Sequence, residues 1–503
     1  MCLKFIFSIQ IIMKIKTISR SSQVQKDSGL QKVQRNPDPK LHPFEKAREY
    51  TRALRAVKLD RLFAKPFVGA MDDHSDGITC GSVSPNALSQ YVSGAANGEV
   101  IVWDLASQRA LWTVYAHAGF VRGLSVATDG RQFLSCGDDR TVKLWTMASN
   151  ESIAGGALED VESRVGKRRK RRLSNDDSAS IPLSARDYNL DDDVRNKTSI
   201  KHVAPVSVWS SSKPFMYIDH HWSEKKFATS SSSVDIWDYT RSDPIHNYSW
   251  GAETVTTVRF NPADPSLFAS TANDRSVVLY DLRAESPLQK VVMAMNSNSL
   301  AWNPREPMNF TIASEDWNCY TFDMRKLDIA LMVHKDHAGA VMDVHYSPTG
   351  REFVTGSYDR TVRIFRVDNS RSREVYHTSR MQRVFTVRFT GDAKYVVSGS
   401  DDANVRIWKA RASEPLGRLL PRERASLDYS NALKKKYAHM PEIRRISQQR
   451  HVPKVIDNAR VRRLEEGQRE RKKLENVRAH TKPESVEGVP KAERKKNIVA
   501  IEK

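Results

Sequence analysis

"GDDRTVKLW" (137–145) is the stretch on which the fold turns. Turn-forming Asp and Arg residues lead into a short apolar run that ends in a large aromatic, the pattern of a strand entered through a tight turn. The pattern returns as "ANDRSVVLY" (272–280), "SYDRTVRIF" (357–365) and "SDDANVRIW" (400–408). Taking the final aromatic as an anchor gives Trp103, Trp145, Trp237, Tyr280, Phe322, Phe365 and Trp408. Successive steps are 42, 92, 43, 42, 43 and 43 residues, so one step is too long by about fifty while the others keep the 40–45-residue spacing of propeller blades.

Within each period lie short alternating runs such as "VMDVHYSP" (341–348), "EFVTGS" (352–357) and "TVRIF" (361–365), separated by Pro, Gly, Asp and Asn. They read as strands. Four strands per period, repeated around a ring, predict an all-β fold: a seven-bladed β-propeller spanning 62–408. Ring closure needs a strand from the other end of the chain, and "LFAKPFVGAM" (62–71) is the candidate.

The family with this repeat is the WD-repeat family, which the chain resembles at "VWD" (102–104), "IWD" (236–238), "LYD" (279–281) and "TFD" (321–323). Asn97, Asp139, Ser231, Asp274, Asp316, Asp359 and Asp402 stand six residues before their anchors, at the family's turn aspartate. Ser93, Ser135, Ser270, Thr355 and Ser398 stand ten before, and His74, His117 and His337 lie 28 or 29 before. Such residues can form buried networks: His117, Ser135, Asp139 and Trp145 in one unit, His337, Thr355 and Asp359 in another. A Ser–His–Asp reading as a catalytic triad is disfavoured, because a triad needs one positioned nucleophile whereas this constellation recurs.

Three segments fall outside the repeat. Residues 1–13 form an apolar stretch shorter than a membrane span and interrupted by Lys4 and Gln10, read as a disordered or artefactual extension with Met13 as an alternative start. Residues 14–61 are a polar extension ending in a basic helix over about 44–60. The long step places an insertion at 147–198, polar and rich in charge blocks, read as disordered. It holds the unbroken run Lys167, Arg168, Arg169, Lys170, Arg171 and Arg172, a pattern for nuclear import.

Charge is uneven. The chain carries 80 Lys and Arg against 60 Asp and Glu, and 409–503 alone hold 26 bases and 13 acids. That tail is expected to be one basic helical domain, with helices over 422–440, 441–451 and 453–480 and with Pro421, Pro441 and Pro453 at their starts. Bases at twice the number of acids favour an arm that lies along RNA phosphates. Nothing resembles an RNA-reading aromatic platform, so phosphate and shape are the expected readout. The four cysteines are scattered, without a zinc-site or disulfide pattern. No phosphate loop, zinc-protease motif or dinucleotide fingerprint is present, so neither an enzyme nor a cofactor is expected.

The flanks narrow the family. "RNPDPKLHPFEKAREYTRALRAVKLDRLFAKPF" (35–67), "MPEIRRISQQRHVPKVI" (440–456) and "ERKKNIVAI" (493–501) closely resemble the Sof-type WD-repeat proteins of the small-subunit processome. That resemblance implies a nucleolar scaffold associated with the box C/D small nucleolar ribonucleoprotein, precursor ribosomal RNA and other processome proteins, with no membrane or small-molecule substrate. Arg444, Arg445, Arg450, His451 and Lys454 are the expected contact cluster of the arm, with packing inside a small helical domain as the alternative. The family also resembles substrate receptors of cullin-RING ubiquitin ligases. Their "WD-x-R" element is matched here by "YDLR" (280–283) and "FDMR" (322–325), which would direct Arg283 or Arg325 to the ligase's adaptor.

Overall fold

The computed structural model describes residues 44–147, 204–250, 254–480 and 497–502. The extension 1–13, most of the insertion and the import run 167–172 lie outside them. Two compact units emerge: residues up to 59 with 418–447, and 60–417 with 448–503.

The larger unit is a seven-bladed β-propeller of antiparallel sheets. Blades 1 to 6 run over 78–115, 121–210, 217–248, 255–293, 297–335 and 341–376, and blade 7 is built from 384–409 plus Phe67–Met71. The first strand of each blade lies beside the first strands of both neighbours, and blade 7 meets blade 1, so the ring is closed. The closing strand pairs Met71 with Val405 and Ala70 with Arg406. It covers an edge of blade 7 that would otherwise present unpaired backbone groups.

Six of the seven anchors stand opposite an aromatic residue of the second strand, Phe322 facing Phe310 among them, and Trp408 faces Val396. Trp103 pairs with Tyr91, Trp145 with Phe133, Trp237 with Phe227, Tyr280 with Phe268, and Phe365 with Phe353. The Phe268 and Tyr280 rings stack with centroids 4.7 Å apart, and Phe353 and Phe365 at 5.4 Å. Apolar side chains then fill the seams between blades: Val277, Leu279 and Val291 of blade 4 form one cluster with Phe310, Ile312 and Phe322 of blade 5. A blade buries little apolar surface alone, so the ring is the unit that folds.

The smaller unit is helical. Helix α1 (Glu45–Leu62), α2 (Pro421–Lys436) and α3 (Pro441–Gln448) place Ala53 and Val57 against Leu433 and Ile443, with Tyr50, Tyr437 and Met440 around them. Glu49 accepts from the Tyr437 hydroxyl at 2.9 Å and pairs with Lys436 at 2.6 Å. Helices this short and polar are marginal alone and need such a shared apolar face.

This division differs from a single helical domain over 409–503. The N-terminal helix supplies the apolar face that α2 and α3 require, whereas residues after 447 belong to the propeller. There, α4 (Lys454–His480) is followed by a strand, Ile498–Glu502, which adds a fifth strand to blade 4 through Val291 opposite Ile501 and Val292 opposite Ala500.

Candidate functional site

The His–Ser–Asp constellations are bonded as architecture. In blade 2, Ser135 Oγ accepts the Trp145 indole N–H at 2.9 Å and lies 2.8 Å from His117 Nε2, while His117 Nδ1 lies 2.9 Å from Asp139. Neutral His117 satisfies every partner when Nδ1–H donates to Asp139 and Nε2 accepts from Ser135. Blade 6 repeats this with His337 Nε2 2.6 Å from Thr355 and Nδ1 2.9 Å from Asp359. Burial lowers both histidine pKa values. Ser135 is fully buried and engaged on both sides, so it has no access to a substrate.

Other blades depart from the pattern. In blade 1 the carboxylate partner of His74 is Glu99, at 3.4 Å, whereas Asn97 turns its amide to Ser75 at 2.6 Å. In blade 3 the hairpin is two residues shorter, so the hydroxyl that accepts the Trp237 indole N–H at 2.8 Å, Thr229, stands eight residues before its anchor instead of ten. The thiols of Cys80, Cys136 and Cys319 are buried, and burial pushes Cys80 up to about 12, far from nucleophilic chemistry. Among the described residues no group of three or more His, Cys, Asp or Glu side chains is placed to hold a metal, and no helix is long and apolar enough to cross a membrane.

The candidate interface is the C-terminal segment mounted on the propeller. Helix α4 carries nine Lys or Arg against five Asp or Glu. It is pinned by Arg463, whose guanidinium lies 4.9 Å above the Trp317 ring in the turn before the third strand of blade 5. Arg463 Nη2 donates to the Asp316 carbonyl at 2.9 Å and to Asn318 Oδ1 at 3.0 Å, and Nη1 reaches the His337 carbonyl at 3.3 Å. Trp317 holds a left-handed conformation, φ 71°, that presents its ring to this cation. With Arg463 occupied, Arg462, Arg469, Arg471, Lys472 and Lys473 remain exposed. Asn497 adds a hydrogen bond to Asp316 at 3.1 Å just before the fifth strand of blade 4.

The expected contact cluster is divided. Arg444 and Arg445 are exposed on α3 in the smaller unit, while Arg450, His451 and Lys454 belong to the propeller unit. Arg450 is partly buried, donating to the Ser372 carbonyl at 3.4 Å, and burial together with nearby Arg61 lowers its pKa. His451 stacks on His377 and accepts its N–H at 3.2 Å. Lys454 is exposed. Arg450 and His451 therefore fasten the chain to blade 6, and the pin at Arg463, seven residues beyond the motif at 440–456, gave no local signal of its role.

Arg283 and Arg325 occupy equivalent turns after the third strands of blades 4 and 5, both exposed. Arg325 is forked onto Asp323 at 3.1 and 3.0 Å. Asp281 instead accepts the backbone N–H of Arg283 at 3.0 Å, and the Arg283 side chain makes no hydrogen bond or ion pair among the described residues.

The Sof1-like domain model matches residues 410–498, and the WD domain, G-beta repeat model matches 108–146, 330–366 and 373–409. Each of these repeats begins on the outer strand of one blade and ends on the third strand of the next, which explains why the ring needs a borrowed strand to close. The chain is 43% identical over 494 residues to DDB1- and CUL4-associated factor 13 of Xenopus tropicalis, covering 97% of this chain and 100% of that one. Against the human protein of that name it is 44% identical over 496 residues, 98% and 100% of the two chains. Against Protein SOF1 of Saccharomyces cerevisiae it is 41% identical over 462 residues, 89% and 87%. With 41–44% identity over nearly the whole chain and matches to both family models, the chain belongs to the Sof1-like family of WD-repeat proteins.

Proposed function

We propose that this protein is a nucleolar scaffold of the small-subunit processome, joining precursor ribosomal RNA and the box C/D small nucleolar ribonucleoprotein without chemistry of its own. The observation that carries the reading is α4: a helix rich in bases, fixed to a rigid propeller by Arg463 and presenting Arg462, Arg469, Arg471, Lys472 and Lys473 to solvent. Cations held on a rigid body contact phosphates with little loss of side-chain and chain freedom, and without base readout. Entry to the nucleus rests on Lys167 to Arg172, outside the described residues. Blade networks made of buried, mutually bonded groups support a structural role for their serines and histidines.

Crosslinking with RNA sequencing on the tagged full chain tests this. Precursor ribosomal and small nucleolar RNA are the expected crosslinks, strongly reduced when Arg462, Arg469, Arg471, Lys472 and Lys473 are changed to Gln. Unchanged crosslinks in that variant would remove the helix from the RNA interface.

A second reading, substrate receptor of a cullin-RING ligase, is favoured by the names of the vertebrate relatives and by the exposed Arg283. A guanidinium without a partner among the described residues is available for a charged contact on an adaptor. Purified adaptor should be retained by the full chain and released by Arg283→Ala; retention by both would exclude this arginine.

A further inference from the structure

One cavity lies away from α4. It has a volume of about 1170 Å³ and is walled by the hairpin turns of blades 5, 6 and 7 together with the segments that follow the third strands of blades 6 and 7. Its walls are built. Gly350, φ 67°, sits so close to blade 5 that a Cβ there would come 2.3 Å from Arg305 Cβ and 2.6 Å from Asn303 Oδ1. Gly350 N–H donates to the Ser347 carbonyl at 2.8 Å, and Asn303 Oδ1 accepts the Arg305 N–H at 3.0 Å. Ala393 on the opposite rim is held left-handed, φ 57°, with its N–H donating to the Thr390 carbonyl at 2.9 Å. Tight turns locked against one another make a preformed cleft, which reduces the ordering penalty on a ligand.

Its charges are unevenly spent. Glu352 is taken by Arg373, with Nη2 donating at 3.0 Å, and Glu306 accepts from Asn309 at 2.7 Å. Arg305, Arg351, Lys394 and Arg411 are exposed and make no ion pair or side-chain hydrogen bond among the described residues. Against these four bases the unengaged lining acids are Asp368 and Glu414. Among the described residues no aromatic side chain lines the cleft, so stacked nucleobases find no platform there. Interspersed carboxylates repel an unbroken row of phosphates, yet they suit a polypeptide in which acidic residues predominate and a base recurs.

We propose that this cleft between blades 5, 6 and 7 is a docking site for an acidic polypeptide segment of a protein partner, held by Arg305, Arg351, Lys394 and Arg411. The site is independent of the RNA contacts assigned to α4 and stands or falls without them.

The test uses the full chain and a fluorescein-labelled twelve-residue peptide rich in Asp and Glu with one internal Lys, read by anisotropy at physiological salt. The double variant Arg351→Glu, Arg411→Glu should weaken binding by at least about tenfold, as charge reversal in a polar contact does. Changing Arg462, Arg469, Arg471, Lys472 and Lys473 to Gln should leave peptide binding within about twofold. An undiminished affinity in the cleft variant, equal loss in the helix variant, or a labelled single-stranded RNA that occupies the cleft in preference to the peptide would each overturn the proposal. Arg351→Gln with Arg411→Gln, which keeps the shape of the site, decides the matter if the reversed variant does not fold.

Discussion

Arg388 in the first strand of blade 7 donates through Nη2 to the Tyr217 hydroxyl in the first strand of blade 3, at 3.0 Å and 171 residues away in sequence. The same guanidinium meets Asp343 of blade 6 at 2.6 Å, and Asp343 also accepts from Ser299 of blade 5 at 3.0 Å and from the Val387 N–H at 3.0 Å. Four blades are thus tied through one buried cation. Burial works against the Arg388 charge, but Asp343 together with Tyr217 and Tyr91 more than offsets it, and the guanidinium pKa lies above its ordinary value.

Replacing Arg388 by Met should lower unfolding stability by about 3 kcal/mol, because a buried carboxylate loses its counter-charge. Tyr217→Phe should lower it by about 1 kcal/mol, the net worth of one hydrogen bond. Guanidinium chloride titrations of the three proteins measure both; equal midpoints for wild type and Arg388→Met would show that the link contributes nothing.

Acid should weaken the propeller through His334. Its Nδ1 donates to the Asn369 carbonyl at 2.8 Å and its Nε2 accepts from Thr321 at 3.0 Å, an arrangement that needs the neutral ring. Burial lowers its pKa from 6.5 to about 4. The unfolded chain therefore binds the proton first, so this stabilisation is full above 6.5 and is lost as pH falls toward 4, about 3 kcal/mol in all. His117 and His337, also lowered by burial, act with the same sign. Denaturant midpoints followed between these two pH values should show a shallower fall for His334→Gln; an unchanged slope would exclude this ring.

Arg463→Ala should loosen α4 while the ring stays folded. The change removes a cation over Trp317 and three carbonyl or amide oxygen contacts. Hydrogen exchange across 454–480 should quicken by about tenfold, corresponding to about 1.4 kcal/mol of lost protection, with blades 1 and 2 unaffected. Identical exchange in both proteins would mean that other groups hold the helix.

Removing residues 497–503 should expose the outer strand of blade 4. Amides of Gln289–Met293 would then exchange faster, and the bare edge should promote self-association measurable by light scattering. Unaltered exchange at these amides would show that the added strand gives no protection.

The anchors, their spacing and the alternation of short runs made the propeller legible in sequence, because blade strands follow from local patterning and the aromatics mark where each blade turns. The same reading identified the hydroxyl and histidine positions of blades 2 and 6. It failed at Asn97 and at blade 3, where Glu99 and Thr229 do the bonding from neighbouring positions. Glu99 opens its strand just after the turn that holds Asn97, and the blade 3 hairpin is two residues shorter, which brings its hydroxyl two places nearer the anchor in sequence. The exposed bases of α4 were visible as a charge excess, but not which one was consumed by Trp317.

Sequence alone determined the period, the number of blades and the basic character of the tail, since each depends on residues near one another along the chain. Tertiary structure alone decided that Arg388 reaches Tyr217, that Arg463 seats on Trp317, that α1 shares a core with α2 and α3, and that Ile498–Glu502 completes an edge of blade 4. These relationships join positions separated by more than one hundred residues, which only folding of the whole chain brings within bonding distance.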